Sequence, residues 1–385
     1  MSAWPDPCNA GHPRGRAARA RLVCGGDEGF RSERGAQLVR RAFLAGALSA
    51  GASILLASCS VPEVSAAPAT TPTPAPTPEF VSSYVAPAAT ELAPLRGTSV
   101  LVGSLARPSI AAKIDNHEEA RPQFGLERAD IVFEELVEGG LTRYLAVWHS
   151  DLPDQLGPVR SIRPMDPDIA SPYGGIICYS GGQEIFVDMM EATNVYNAIH
   201  GSSDTDETFF RTDLRDAPHN VLVMAPAVVG QHVDLAPPAQ QWAYSADALG
   251  SSAVREGTPS ARIDVVYSSE RYPSWQWDDA AKRYLRSQEG APDLDLSGAQ
   301  LAATNVIVMS VAIDGTYGPV PKTVMVGSGQ VWVSTGGSTI HGTWSKADQL
   351  GAIRLVDDRG MTIRLAAGST WVQLLPQSGT ITLSA

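Results

Sequence analysis

Apolar positions in this chain come in short runs broken by Gly, Pro, Asp and Ser, and their spacing changes along the sequence. Residues 109–115 form an apolar run ending in Asp115-Asn116-His117, which predicts a strand. Residues 130–138 and 141–149 are strand-like and are joined by Gly139-Gly140, the composition of a tight hairpin turn. Residues 175–179 predict another strand. Residues 183–192 place Ile185, Phe186, Met189 and Met190 at i, i+3/i+4 spacing, which predicts a helix. A strand over 220–224 and a helix over 225–233 follow. Strands interleaved with helices imply an α/β layered domain over 100–236.

Residues 237–259 read as a polar connector. Beyond it the pattern becomes almost wholly β, in short runs between 262 and 375 that Gly, Asp or Ser clusters mostly separate. Runs of that kind predict an antiparallel sandwich or barrel over 260–385. The expected fold class is therefore α+β, an N-terminal α/β layered domain followed by an antiparallel β-rich C-terminal domain.

The pattern upstream is different. Arg40-Arg41-Ala42-Phe43-Leu44 opens an apolar run reaching Leu56, and Leu56-Ala57-Ser58 leads into Cys59. A basic region, an apolar stretch of about 15 residues and a small-residue exit are the parts of an export signal. The run carries Gly46 and Gly51 and falls short of the roughly 20 residues that span a bilayer. Cys59 stands where a lipid would be attached to its thiol, as in a bacterial lipoprotein. Arg40, Arg41, Phe43 and Leu44 look like a twin-arginine address. Residues 1–58 are thus expected to be leader and signal. Residues 59–99 are expected to be a tether, rich in Pro, Thr and Ala, that is extended and without a core. The reading places the protein outside the cytoplasm on the outer face of the cell membrane, with the lipid bilayer as its first partner.

The charge follows from that processing. Removing the 8 arginines and 4 acidic residues of 1–58 from 29 basic and 41 acidic side chains leaves 21 and 37, a formal charge of −16. Such a surface repels nucleic acid and anionic lipid. Cys8 and Cys24 lie in the leader and Cys59 would be lipidated, so Cys178 is left with no partner for an internal disulfide.

Candidate chemistry is concentrated in residues 113–163. By period-2 alternation Arg143 shares a strand face with Leu141, Leu145 and Val147, while Glu134 and Glu138 share a face with Val132 and Leu136. A charge on a core-facing side must be paired. One account is an internal network in which Glu134, Glu138 and Asp115 neutralise Arg143, Arg160 and Arg163. The other is a cleft in which those three arginines hold an anion, phosphate or carboxylate. No Gly-x-Ser-x-Gly elbow, His-Glu-x-x-His or phosphate-binding loop occurs. No two histidines have zinc-ligand spacing, so no metal site is expected. His219, in Ala-Pro-His-Asn, is the histidine to watch. Trp275, Trp277, Trp332, Trp344 and Trp371 all fall in the β-rich part, where a hydrophobic core is favoured over sugar stacking.

The block Lys113-Ile114-Asp115-Asn116, Ala120-Arg121-Pro122-Gln123-Phe124-Gly125-Leu126, Glu138-Gly139-Gly140 and Gly157-Pro158-Val159-Arg160-Ser161-Ile162-Arg163 resembles the YerB-like lipoprotein family. That is a bacterial envelope family defined by a domain of unknown function. The resemblance continues through Arg215-Asp216-Ala217-Pro218-His219-Asn220, Trp275-Gln276-Trp277-Asp278 and Thr370-Trp371, over nearly all of residues 100–385. It implies an N-terminal family domain and a smaller C-terminal β domain, and no established reaction. It adds Asn116 and Asn220 to Asp115, Glu134, Glu138 and His219 as candidates for a catalytic or network role. A weaker likeness, in order and spacing only, is to the LytR-CpsA-Psr group, which transfers glycopolymers from a lipid pyrophosphate. It implies Arg143, Arg160 and Arg163 on the pyrophosphate and Asp115 with magnesium.

The expected function is binding of a cell-wall component or wall-synthesis protein through the arginines, with no cofactor assigned. The alternative is a metal-dependent phosphotransferase or hydrolase acting on lipid-linked or cell-wall glycopolymers, and only that reading needs magnesium.

Overall fold

Three strands carry the centre of the molecule: β1 (Ile110–Asp115), β2 (Ile131–Leu136) and β3 (Thr142–Trp148). The computed structural model describes residue 79 and residues 81–385. β3 pairs antiparallel with both neighbours. The chain passes from β2 to β3 through Gly139 and Gly140, whose φ angles are 71° and 73°. A Cβ is unfavourable there, and at Gly140 it would also press on Ser268 at 3.0 Å. β4 (Ile176–Tyr179) adds in parallel beside β1, and Tyr196–Ile199 beside β4. Helix α1 (Glu184–Glu191) buries Phe186 and Met190, whereas Ile185, expected on its apolar face, is 51% exposed.

The C-terminal half does not stand apart. β5 (Asn305–Val311) and β6 (Thr370–Pro376) run parallel, and β6 also runs parallel to β2, with Leu374 opposite Glu135. One mixed sheet of 11 strands therefore continues from the early strands through β6 and β5 to Gly327–Thr335 and Ser338–Lys346. The expectation that the C-terminal β-rich part is antiparallel throughout is corrected here. β6 is buried at every position, so it needs cover on both faces and a neighbour on each edge, which a central place in a large sheet provides. A separate antiparallel sheet does exist. It includes Arg262–Val266, Ser274–Asp278, Arg283–Gln288 and Thr380–Ser384. Among the described residues strand makes up 39% and helix 12%, so the helical layer is thinner than an α/β layering implies.

Hydrophobic side chains cover both faces of the large sheet. Ile131, Phe133, Leu145 and Val147 pack in a cluster with Phe186 and Met190 of α1. Val132, Tyr144 and Ala146 join a second cluster with Trp275, Tyr284 and Trp371. Trp275, Trp344 and Trp371 are core residues, and the rings of Trp275 and Trp371 meet edge-on at 5.2 Å. Cys178 is buried and free.

Two further expectations change. Within 59–99, Thr90–Leu92 pairs with Ser99–Leu101, and Ala93 and Leu95 are buried, so order begins before residue 100. The run 362–365 makes isolated bridges at Thr362 and Leu365 instead of a strand. Arg40, Arg41, Phe43, Leu44 and Cys59 lie outside the described residues. Among the described residues no helix is long and apolar enough to cross a membrane.

Candidate functional site

Register brings the first two site residues together. Asp115, the last residue of β1, lies opposite Arg143 near the start of β3. The segment carrying Arg160 and Arg163 is tied down on both sides. Asp115 N donates to Pro158 O at 2.9 Å and Arg160 N to Lys113 O at 2.8 Å, while Ile162 N donates to Gly181 O at 3.1 Å. Arg143, Arg160 and Arg163 consequently converge on a cavity of about 290 Å³, which Asp115, His117, Glu138, Thr142 and His219 also line. That volume lies at the lower end for ligand pockets and suits a small charged group better than a sugar chain.

The charges in the cavity are unequally paired. Arg163 Nε donates to Glu138 Oε2 at 2.8 Å. Burial would raise the Glu138 carboxyl, but the Arg163 bond pulls it below its ordinary range. Arg160 Nε lies 2.9 Å from Asp115 Oδ2, an ionic contact without hydrogen-bond alignment. Arg143 has no carboxylate within 4.0 Å among the described residues. Its one directed bond runs from Nη1 to the Ser161 carbonyl at 2.8 Å. Burial, together with the nearby Arg163 guanidinium, pulls Arg143 down to about 10. It is still charged at neutral pH, so the cavity holds a buried cation that Asp115 and Glu138 offset only from a distance, facing space for a ligand.

Other expected members lie elsewhere. Glu134 sits opposite Tyr144, on the sheet face away from Arg143. There it accepts from Arg286 at 2.8 Å and from Thr142 at 2.8 Å, and Arg286 also contacts Asp293. Glu134 as a partner of the arginine cluster is thus corrected, because the β2–β3 register puts Glu135 opposite Arg143. Glu135 is itself in contact with buried Lys113, which also donates to Asp166 at 2.8 Å. Asn116 is buried on the Glu134 side, donating to Thr142 Oγ1 at 2.8 Å and accepting from Arg121 at 3.0 Å. Asn220 accepts from Arg211 at 2.6 Å and does not line the cavity. Neither asparagine is available for chemistry at the arginines.

His219 does join the site, with Nδ1 2.7 Å from Asp115 Oδ2. Asp115 also accepts the His117 backbone N–H at 3.1 Å. Both its oxygens are engaged, which leaves it poorly placed as a magnesium ligand. Two further residues not singled out in the sequence gather here, His117, which lines the cavity, and Glu119 beside it. The His117 ring stacks on His219 at 4.6 Å, and His117, Glu119 and His219 offer ligand atoms within 4.8 Å of one another. The expectation of no metal site is drawn from local histidine spacing, which does not register two histidines brought together from segments far apart in the chain.

Residues 97–234 match the N-terminal domain, and residues 263–372 the C-terminal domain, of a protein family of unknown function, DUF3048. YerB of Bacillus subtilis (strain 168), whose name classes it with the lipoproteins, is 25% identical over 303 residues, 76% of this chain and 88% of YerB. The crystal structure of YerB has the same fold, with a TM-score of 0.65 at 24% identity, covering 76% of this chain and 99% of that one. This chain belongs to the DUF3048 family.

Proposed function

We propose that this protein is an envelope lipoprotein, held by lipid on Cys59 at the outer face of the cell membrane. Its folded part binds an anionic group of a cell-wall component or of a wall-synthesis partner. Support for the anchor comes from the segment Arg40–Cys59 and from the lipoprotein relative. Support for the binding site comes from one observation above all, the buried Arg143 guanidinium without a carboxylate, beside Arg160 and Arg163 in a 290 Å³ cavity. Leaving such a charge unpaired costs stability, and a phosphate or carboxylate bound bidentately would offset that cost.

Thermal melting of the full chain with inorganic phosphate, pyrophosphate and purified wall fragments tests this reading. A ligand at 100 times its Kd stabilises by about 2.7 kcal/mol, a readily measured shift. Arg143→Met should abolish the shift. No response of the wild type to any phosphate or carboxylate would remove the anion-site reading. The alternative, a metal-dependent transferase or hydrolase on lipid-linked or wall glycopolymers, draws support only from the His117, Glu119 and His219 group at the cavity's edge. Magnesium on Asp115 is not favoured, since its oxygens are taken by His117 N, His219 and Arg160.

A further inference from the structure

The rim of the arginine cavity contains an electrostatic conflict. Asp115 already receives a backbone N–H and an arginine, and it acts as an acceptor towards His219 Nδ1 at 2.7 Å. That assigns the ring proton to Nδ1 and leaves the Nε2 lone pair pointing outward. Directly facing Nε2, at 3.3 Å, is Glu119 Oε2. Two acceptors at hydrogen-bond distance repel unless a positive centre lies between them. Either a second proton makes His219 an imidazolium, or a cation binds.

His117 argues for the cation. Its ring lies against His219 with centroids 4.6 Å apart and planes at 23°, so protonating both rings would stack like charges. Its Nδ1 accepts the exposed Glu119 backbone N–H at 3.2 Å and lies 4.0 Å from the same Glu119 Oε2, and the ligand atoms that the three residues offer fall within 4.8 Å of one another. Small side-chain rotations would close the set onto bonds of about 2.0–2.2 Å. The freedom for them is present, because the Glu119 side chain is 73% exposed and that of His117 35%, while His219 is held at 10%. Asp115 behind His219 completes the carboxylate–histidine–metal relay that fixes a ligand's tautomer and raises its basicity.

We propose that His117, Glu119 and His219 form a site for a divalent transition metal of the zinc class, with Asp115 as the positioning residue. Two imidazoles and one carboxylate suit zinc better than magnesium or calcium. Three protein ligands leave a fourth position open, and here it borders the cavity of Arg143, Arg160 and Arg163. The site does not depend on the anion reading, since its ligands are distinct from the three arginines.

The test is equilibrium dialysis of the chelator-stripped full chain against zinc, with magnesium in parallel and metal content read by mass spectrometry. One zinc per chain and no retained magnesium is expected. His117→Ala, at a half-buried position, and Glu119→Gln, at an exposed one, are each expected to weaken zinc binding tenfold or more, with metal-free melting of each variant checking that it folds. Asp115→Asn should weaken it by about 10–100-fold, as for other outer-shell partners. Substoichiometric zinc in the wild type, or wild-type zinc affinity in both His117→Ala and Glu119→Gln, overturns the proposal. Phosphate-dependent melting in the presence of chelator reports on the arginines alone, so failure of either reading shows separately.

Discussion

Asp115 and Arg143 face each other across the β1–β3 pairing, yet they form no ion pair. Asp115 turns to Arg160 and His219, and Arg143 turns to the Ser161 carbonyl. The two faces of the large sheet thereby meet arginine in opposite ways. Arg143 is buried with no carboxylate in contact among the described residues. Arg286, on the other face, is fully buried between Glu134 and Asp293 and lies over the Trp371 ring at 4.9 Å.

That contrast predicts opposite stability effects. Arg286→Met strands two buried carboxylates and should cost on the order of 3–5 kcal/mol. Arg143→Met removes an uncompensated charge and one hydrogen bond, so its melting temperature should equal or exceed the wild type's. Denaturant melts of the two variants check this. Comparable losses in both would show that Arg143 has a structural counter-ion after all.

Arg160→Lys keeps the charge and loses the planar fork. Arg160 is partly exposed and its contact with Asp115 lacks hydrogen-bond alignment, so stability should fall by no more than about 1 kcal/mol. Phosphate-dependent stabilisation should fall by more than the melting point in the absence of ligand does. An unchanged phosphate response would take Arg160 out of the binding site.

A pH effect is expected from Glu127. Burial and the adjacent Asp295 carboxylate push it up to about 7 from an ordinary 4.5. Between those values the folded protein keeps a proton that the unfolded chain has released. Stability should therefore decline as pH rises from about 4.5 through 7, with the loss complete above that window. Glu127→Gln should flatten this part of the profile in urea melts from pH 4.5 to 8. An identical slope in wild type and variant would assign the effect to other groups.

Cys59→Ala should release the protein from the membrane fraction, since the proposed anchor is the lipid on that thiol. Retention of the variant in membranes at high salt would sink the anchor. Replacing Arg40-Arg41 by Lys-Lys should block export if the twin-arginine route is used, and unchanged export would point to the general secretory route.

The local pattern was sufficient for the strands 110–115, 131–136 and 142–148, for the glycine turn between the last two and for the helix over 184–191. Each depends on periodicity or backbone freedom within a few residues. It also marked Arg143, Arg160, Arg163, Asp115 and Glu138, because charges among apolar neighbours demand partners, and His219 by its place in Ala-Pro-His-Asn. Tertiary structure alone decided who those partners are. A shift of one position in the β2–β3 register exchanges Glu134 for Glu135 opposite Arg143, and periodicity within a strand carries no information about register. Arg286 reaches Glu134 from 152 residues along the chain, β6 enters the sheet beside β2, and His219 stacks on His117. Those contacts arise because buried charges and two-sided strands must find complements wherever the folded chain places them, at separations that sequence spacing does not record.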